Sequence, residues 1–318
     1  MITVKNLTKI YKSPVKGKSF ISDLLNRQYK ETKAVDNISL AIGENELVGL
    51  IGPNGAGKTT TLKILSGILY PTSGQVNVLG FNPFEKKYGY LEQISFVMGQ
   101  RNQLIWDLPA VETFQLNREI YGVSDSDFKK NVGNLTEILK AKDLPYKPVK
   151  TLSLGERMKM ELIAGLIHNP KIIFFDEPTI GLDIFSQEVI RDFIKQYQKQ
   201  YKATIILTSH YMEDVKRLAH RIIVLNEGKI LYDGLLKEIV KKYSQDKHVI
   251  VTLEKEIDHK KLALVGEPIS YSFPKITYKF QRKDIPQKIN LINKNLPYSD
   301  LTINEEPIEE IIKSLFRK

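Results

Sequence analysis

The chain has no cysteine, which rules out disulfides and thiolate metal sites together. Tryptophan occurs once, at Trp106. No apolar run approaches the ~20 residues a membrane-spanning helix needs, so if the protein serves a membrane, another chain must cross it. The opening Met1-Ile2-Thr3-Val4-Lys5-Asn6 lacks the pattern of a secretory signal, and the cytosol is the expected compartment. Sustained heptads are missing too. What is present suits a globular protein: 318 residues, 42% apolar and 26% charged, enough for one large or two modest domains. A net charge of +10 attracts anions but does not choose among nucleotide, nucleic acid and an anionic membrane face. Part of that excess lies in a polar insert, Lys12 to Lys33, which is either a solvated basic loop or a contact for lipid headgroups.

The most informative stretch is Gly52-Pro53-Asn54-Gly55-Ala56-Gly57-Lys58-Thr59-Thr60, which fits G-x-x-x-x-G-K-[ST]. Apolar Leu47 to Ile51 precedes it, and a helical pattern with Leu62, Leu65 and Leu69 on one face follows. A strand, a glycine loop and a helix together make a triphosphate cradle. Glycines let successive N–H groups turn toward oxygen, and the helix adds its positive end. Lys58 is expected to reach the β- and γ-phosphates, and the Thr59 hydroxyl to hold Mg²⁺. A plain glycine turn would not match all four fixed positions and both flanks.

In order, residues 2–10 read as a strand ending near Tyr11, and Val35 to Ile42 as a second. Within the insert, Phe20, Ile21, Leu24 and Leu25 stand at the spacing of a short amphipathic helix. Gln75 to Gly80 and Ile94 to Met98 are further strands, and from Gln100 to Pro170 the pattern turns helical. Ile172-Ile173-Phe174-Phe175 fits a strand buried on both faces. A helix from about Phe185 to Gln200, a strand Thr204 to Thr208 and a helix from Met212 follow. Arg221 to Leu225 and Lys229 to Tyr232 form a hairpin about Asn226-Glu227-Gly228. Beyond Ser244, strands at His248 to Leu253 and Ile276 to Phe280 precede a final helix that buries Ile308, Ile311, Ile312, Leu315 and Phe316, with Pro307 in its first turn.

Two further segments carry chemistry. Asp176-Glu177 ends the buried strand, where ligands of parallel sheets bind, and adjacent carboxylates can divide the work. Asp176 would face Mg²⁺ while Glu177 acts on the water that attacks the γ-phosphate. Leu152-Ser153-Leu154-Gly155-Glu156-Arg157 precedes a helix with Ser153 and Glu156 at capping-box spacing. It is a capped helix start and, for the same reason, an anion site.

Together these motifs resemble the ATP-binding subunit of an ABC transporter, with the segment at Ser153 similar to the signature Leu-Ser-Gly-Gly-Gln. The resemblance covers roughly Met1 to Val240. It implies a P-loop α/β core with an antiparallel β subdomain and a helical subdomain inserted at about 100–170, and leaves 245–318 as a small α+β accessory domain. It gives Tyr11 the adenine-stacking role, Gln100 the sensing of Mg²⁺ and the attacking water, Asp183 the dimer-contact loop and His210 the γ-phosphate contact. Gln103 competes with Gln100. Gly52, Asn54, Gly55, Ala56, Gly57, Lys58, Thr59 and Thr60 line the phosphates. Ser153, Gly155 and Glu156 face ATP on a mate, the same chain or a relative, in a head-to-tail pair. Leu154 and Glu156 depart from the signature, and Glu156 places negative charge near an anion. The segment Arg101 to Pro109 corresponds to the part that receives a membrane subunit, with Trp106 as either contact anchor or core.

The insert after Tyr11, the Gln-Arg-Asn-Gln-Leu segment from Gln100 to Leu104 and the Leu-Ser-Leu-Gly-Glu-Arg-Met segment together resemble ATPases of bacterial exporters with ABC-2-type membrane partners. The implied function is ATP hydrolysis with Mg²⁺ driving export, on the cytoplasmic face of the membrane. A soluble ABC ATPase acting on ribosomes or nucleic acid is the alternative, disfavoured by the absence of a second cassette and of long coiled coils. A regulatory module that holds ATP without turnover is a third reading, against which Glu177 and His210 argue.

Overall fold

The computed structural model describes residues 1–15, 29–243 and 246–316. Two compact units divide it, Met1–Gly234 and Leu235–Lys318. In the first, β1 (Ile2–Pro14) and β2 (Tyr29–Ile42) pair antiparallel, and β3 (Leu47–Ile51) leads through the glycine loop into α1 (Lys58–Leu65). β4 (Ser73–Val78) returns onto β1, completing a three-stranded antiparallel sheet in the order β2-β1-β4. A short α2 (Tyr88–Leu91) precedes β5 (Ile94–Met98). Three helices follow, α3 (Ala110–Ile120), α4 (Asp125–Ile138) and α5 (Leu154–Leu166). The chain then re-enters the core through β6 (Ile172–Asp176), α6 (Ile184–Tyr201), β7 (Thr204–Thr208), α7 (Met212–Leu218), β8 (Arg221–Asn226) and β9 (Lys229–Leu235).

The six-stranded sheet runs β5-β6-β7-β3-β8-β9. Every pair from β5 to β8 is parallel. Its central strands are buried because their sequences are largely apolar on both faces: all five residues of β3 and of β7 are buried, as are the first four of β6. Parallel neighbours end on the same edge of a sheet. The carboxyl ends of β3, β5, β6 and β7 therefore bring the glycine loop, Gln100, Asp176-Glu177 and His210 to one rim.

The first two strands run further than their apolar residues suggest. Lys12, Ser13 and Pro14 pair with Glu31, Lys30 and Tyr29, and Lys12 Nζ meets Glu31 at 3.0 Å. Both faces of that end are exposed, so polar residues continue the ladder where a buried strand would need alternation. The helix expected about Phe20 to Leu25 lies outside the described residues.

In the second unit, α8 (Leu236–Tyr243) is followed by β10 (Asp246–Leu253), α9 (His259–Ala263), β11 (Pro268–Ser272), β12 (Lys275–Gln281), α10 (Ile285–Asn295), β13 (Tyr298–Glu305) and α11 (Ile308–Leu315). From β10 to β13 the succession βαββαβ, in antiparallel order β11-β12-β10-β13, is a split βαβ arrangement. Val249, Val251, Ile276 and Tyr278 from the sheet pack with Leu262, Ile285 and Ile292 to form its core. Pro307 caps α11 from outside rather than standing in its first turn, as a residue lacking N–H readily does.

Candidate functional site

The phosphate loop takes the form its glycines permit. Gly55 and Gly57 have φ of +79° and +101°, and a Cβ on Gly57 would lie 2.2 Å from the Ala34 carbonyl oxygen. Ala34 belongs to β2, and Tyr11 pairs with Thr32 two residues away, so the β1–β2 hairpin carries Tyr11 to the flank of the loop. The Tyr11 ring is partly exposed, with the Lys9 ammonium 5.4 Å from its centroid. Ala56 is buried and its carbonyl accepts the Gly228 N–H at 3.2 Å. Asn54 is exposed, and Thr60 is half-buried in the first turn of α1.

Lys58 is buried, and its ammonium donates to the carbonyls of Gly52 (2.8 Å) and Pro53 (3.0 Å). Burial pulls its pKa below the ordinary lysine value, while Glu177 and Asp176 pull it back up. The cation is thus stored on the rim of the loop.

At the end of β6, Asp176 Oδ1 accepts two hydroxyls, Thr59 at 2.9 Å and Thr208 at 2.7 Å. Thr208 also anchors the next residue, since the Glu177 N–H donates to both its carbonyl and its hydroxyl at 3.1 Å. Glu177 has a φ of +56°, a conformation that is rare for a residue with a side chain. Its Oε1 lies 2.7 Å from His210 Nε2, whereas Oε2 is buried with no hydrogen-bond partner among the described residues. Gly99 packs so closely that a Cβ there would sit 2.0 Å from the Glu177 carbonyl oxygen. A cavity of about 200 Å³ is lined by Thr59, Lys63, Met98, Gln100, Arg101, Asp176 and Glu177. Gln100 lines it, while the Gln103 amide is turned away onto the Phe96 carbonyl at 3.0 Å.

The segment at Ser153 is a complete capping box. Ser153 Oγ accepts the Glu156 N–H (3.3 Å), and Glu156 Oε2 accepts the Ser153 N–H (2.9 Å), which draws the Glu156 pKa below its ordinary value. Gly155 abuts the start of α6, where a Cβ would meet Ser186 Oγ at 2.3 Å. Asp183 caps that helix, accepting the Ser186 N–H at 3.0 Å and its hydroxyl at 2.6 Å. Trp106 is half-exposed, with the Arg157 guanidinium 5.8 Å from its ring, so it is not a core residue.

Lys63, Arg101 and Thr208 are members of the rim that the motifs do not name. Thr208 had one legible signal, its place one residue before Ser209-His210 at a strand's end. The Lys63 and Arg101 side chains carry none.

A glycine loop on a buried strand, a lysine on its carbonyls and a carboxylate pair beyond the neighbouring strand define a P-loop nucleotide hydrolase. The sequence pattern described as ABC transporter matches residues 35–180. The chain is 36% identical over 210 residues to the ABC transporter ATP-binding protein NatA of Bacillus subtilis, covering 66% of this chain and 85% of that one. It is 30% identical over 243 residues to the bacitracin transport ATP-binding protein BcrA of Bacillus licheniformis, covering 74% and 78%. Among solved structures it is similar to the ATP-binding cassette MJ0796, seen as a dimer in a post-hydrolysis state with ADP and Pi, at a TM-score of 0.62 and 26% identity, covering 74% of this chain and 99% of that one. The chain belongs to the family of ABC transporter ATP-binding proteins. It is an ATP-binding, ATP-hydrolysing subunit of a transport system.

Proposed function

We propose that this chain dimerises on ATP and drives export through separate membrane subunits of the ABC-2 type, from the cytoplasmic face of the membrane. The observation that carries the catalytic part is the pairing of Glu177 with His210 beside the Thr59–Asp176 contact. Lys58 leaves the Gly52 and Pro53 carbonyls for the β- and γ-phosphates, a short move because its ammonium already lies on the loop. Tyr11 stacks on adenine, and the N–H groups of the loop take the phosphate oxygens.

The site's hard oxygen donors suit Mg²⁺, which takes one or two carboxylates and completes its shell with water and phosphate. Thr59, Asp176 and Gln100 would hold it; bound there, it would neutralise charge on the phosphates. Among the described residues no cluster of three His, Cys, Asp or Glu could hold a metal alone, which is in keeping with a site that phosphate completes. Glu177 takes the proton of the attacking water through its carboxylate, and His210, 2.7 Å from Oε1, orients that carboxylate and contacts the γ-phosphate. Ser153 and Gly155 of a second copy or a relative close over the nucleotide, with Asp183 at the contact loop. The solved dimer of the similar cassette supports that pairing.

No helix among the described residues is long and apolar enough to cross a membrane. Ile105, Trp106 and Leu108, a few residues beyond Gln100 in the chain, leave apolar surface exposed, a place for a helix of the membrane subunit to bear. Transport is supported by likeness to a protein named for bacitracin transport, and export is the direction this reading gives it. Glu177→Gln is the test: it should bind ATP, accumulate a closed dimer by gel filtration and lose turnover. Parent-rate hydrolysis by that variant would remove the general-base assignment.

A further inference from the structure

One buried carboxylate outside the phosphate loop joins the turns that carry Glu177 and His210. Asp214, in the first turn of α7, is fully inaccessible. Its Oδ2 accepts the hydroxyls of Thr179 and Ser209, both at 2.5 Å, and its Oδ1 accepts Arg191 Nε at 2.6 Å. Thr179 stands two residues after Glu177. Ser209 immediately precedes His210, and its hydroxyl also accepts the Tyr211 N–H at 3.0 Å. Arg191, itself buried, lies about two turns into α6, the helix capped by Asp183, and its Nη2 donates to Gln187 Oε1 at 2.8 Å. Three stretches that meet nowhere in sequence are thus held by one side chain.

A buried ion pair is a poor device for stability alone, because desolvation offsets most of its attraction and an apolar cluster of the same volume does as well. What the carboxylate supplies is geometry: each acceptor direction fixes one partner. The chemistry needs such fixing. Glu177 sits in a left-handed backbone conformation that its surroundings must enforce, and its carboxylate must meet His210 at 2.7 Å.

We propose that Asp214 is a positioning residue for ATP turnover, gripping Thr179 and Ser209 together so that Glu177 and His210 keep their separation, and linking that separation through Arg191 to the helix opened by Asp183. The proposal rests on the reading of Glu177 as the base. Three predictions separate it from a merely structural role, using the full chain with ATP and Mg²⁺ and Glu177→Gln as reference. Ser209→Ala and Thr179→Val leave the Arg191–Asp214 pair intact, and each should lower kcat about 10-fold. Asp214→Asn should lower it on the order of 100-fold, since misplacements near 1 Å cost that much. KM for ATP and nucleotide affinity should stay within about twofold in all three. Rates are normalised to the protein that binds nucleotide, so partial unfolding of Asp214→Asn does not count, and the two hydroxyl variants decide if it fails to fold. Parent kcat in Ser209→Ala and Thr179→Val, with Glu177→Gln inactive, would overturn the role of Asp214 alone. Parent kcat in Glu177→Gln would instead remove the reading beneath it.

Discussion

Thr59 and Asp176 stand 117 residues apart in the chain and 2.9 Å apart in the fold, hydroxyl to carboxylate. Thr208 shares the same carboxylate oxygen, so losing the Thr59 hydroxyl leaves Asp176 one remaining donor. Thr59→Val keeps the shape and removes the metal-facing oxygen. Hydrolysis should fall on the order of 100-fold at ordinary Mg²⁺, with part of the deficit recovered as Mg²⁺ is raised. Titration of the rate against Mg²⁺ checks this, and an unchanged Mg²⁺ dependence would exclude Thr59 from the metal's shell.

Glu156 spends its carboxylate on the Ser153 backbone and also draws on the Ser153 hydroxyl, the group that a second copy would offer to a γ-phosphate. Its pKa is depressed, so the capping contribution is complete above the ordinary carboxyl range and is lost as pH falls through the lowered value. Glu156→Gln keeps an acceptor for the Ser153 N–H and removes the charge. In a Glu177→Gln background it should lengthen the life of the ATP-held dimer, measured by gel filtration after nucleotide washout. A shorter life would mean that the charge assists closure.

Glu161 is buried in α5, and its carboxylate accepts the N–H groups of Gln103 (3.0 Å) and Leu104 (3.4 Å). Burial lifts its pKa to about 7, against those hydrogen bonds and nearby Arg157, which lower it. Between the ordinary carboxyl value and about 7 the folded chain keeps a proton that the unfolded chain has released. Stability therefore falls as pH rises through that window, by up to about 3 kcal/mol once above it. Glu161→Gln cannot titrate. Its melting temperature should depend less on pH between about 5 and 8 than the parent's, as calorimetry would show; an identical slope would mean that Glu161 does not set it.

What was legible in the sequence is what lies together in it. The loop from Gly52 to Thr60 carries its own glycines, cation and hydroxyl, and Asp176-Glu177 directly follows the apolar run that buries β6. Both Gln100 and Gln103 follow β5 within a few residues, and the sequence favours Gln100 because it stands directly after the apolar strand. The Gln103 amide lies on the Phe96 carbonyl, a contact the spacing does not encode. Thr208 and Asp214 were missed because their partners are set by β6 pairing with β7 and by α6 packing on α7, not by a local pattern. The second unit hid β11 and β13 for a different reason. Both are sheet edges whose residues are mostly exposed, so neither shows the apolar alternation that marks a half-buried strand.

The backbone twist at Glu177 sets folding and chemistry against each other. Glycine would relax there at no steric penalty, and asparagine at little, whereas glutamate carries a torsional cost on the order of 1 kcal/mol. A library screened only for thermal resistance should accordingly enrich small or amide residues at position 177, and its hardiest survivors should be molecules that grip ATP and never spend it.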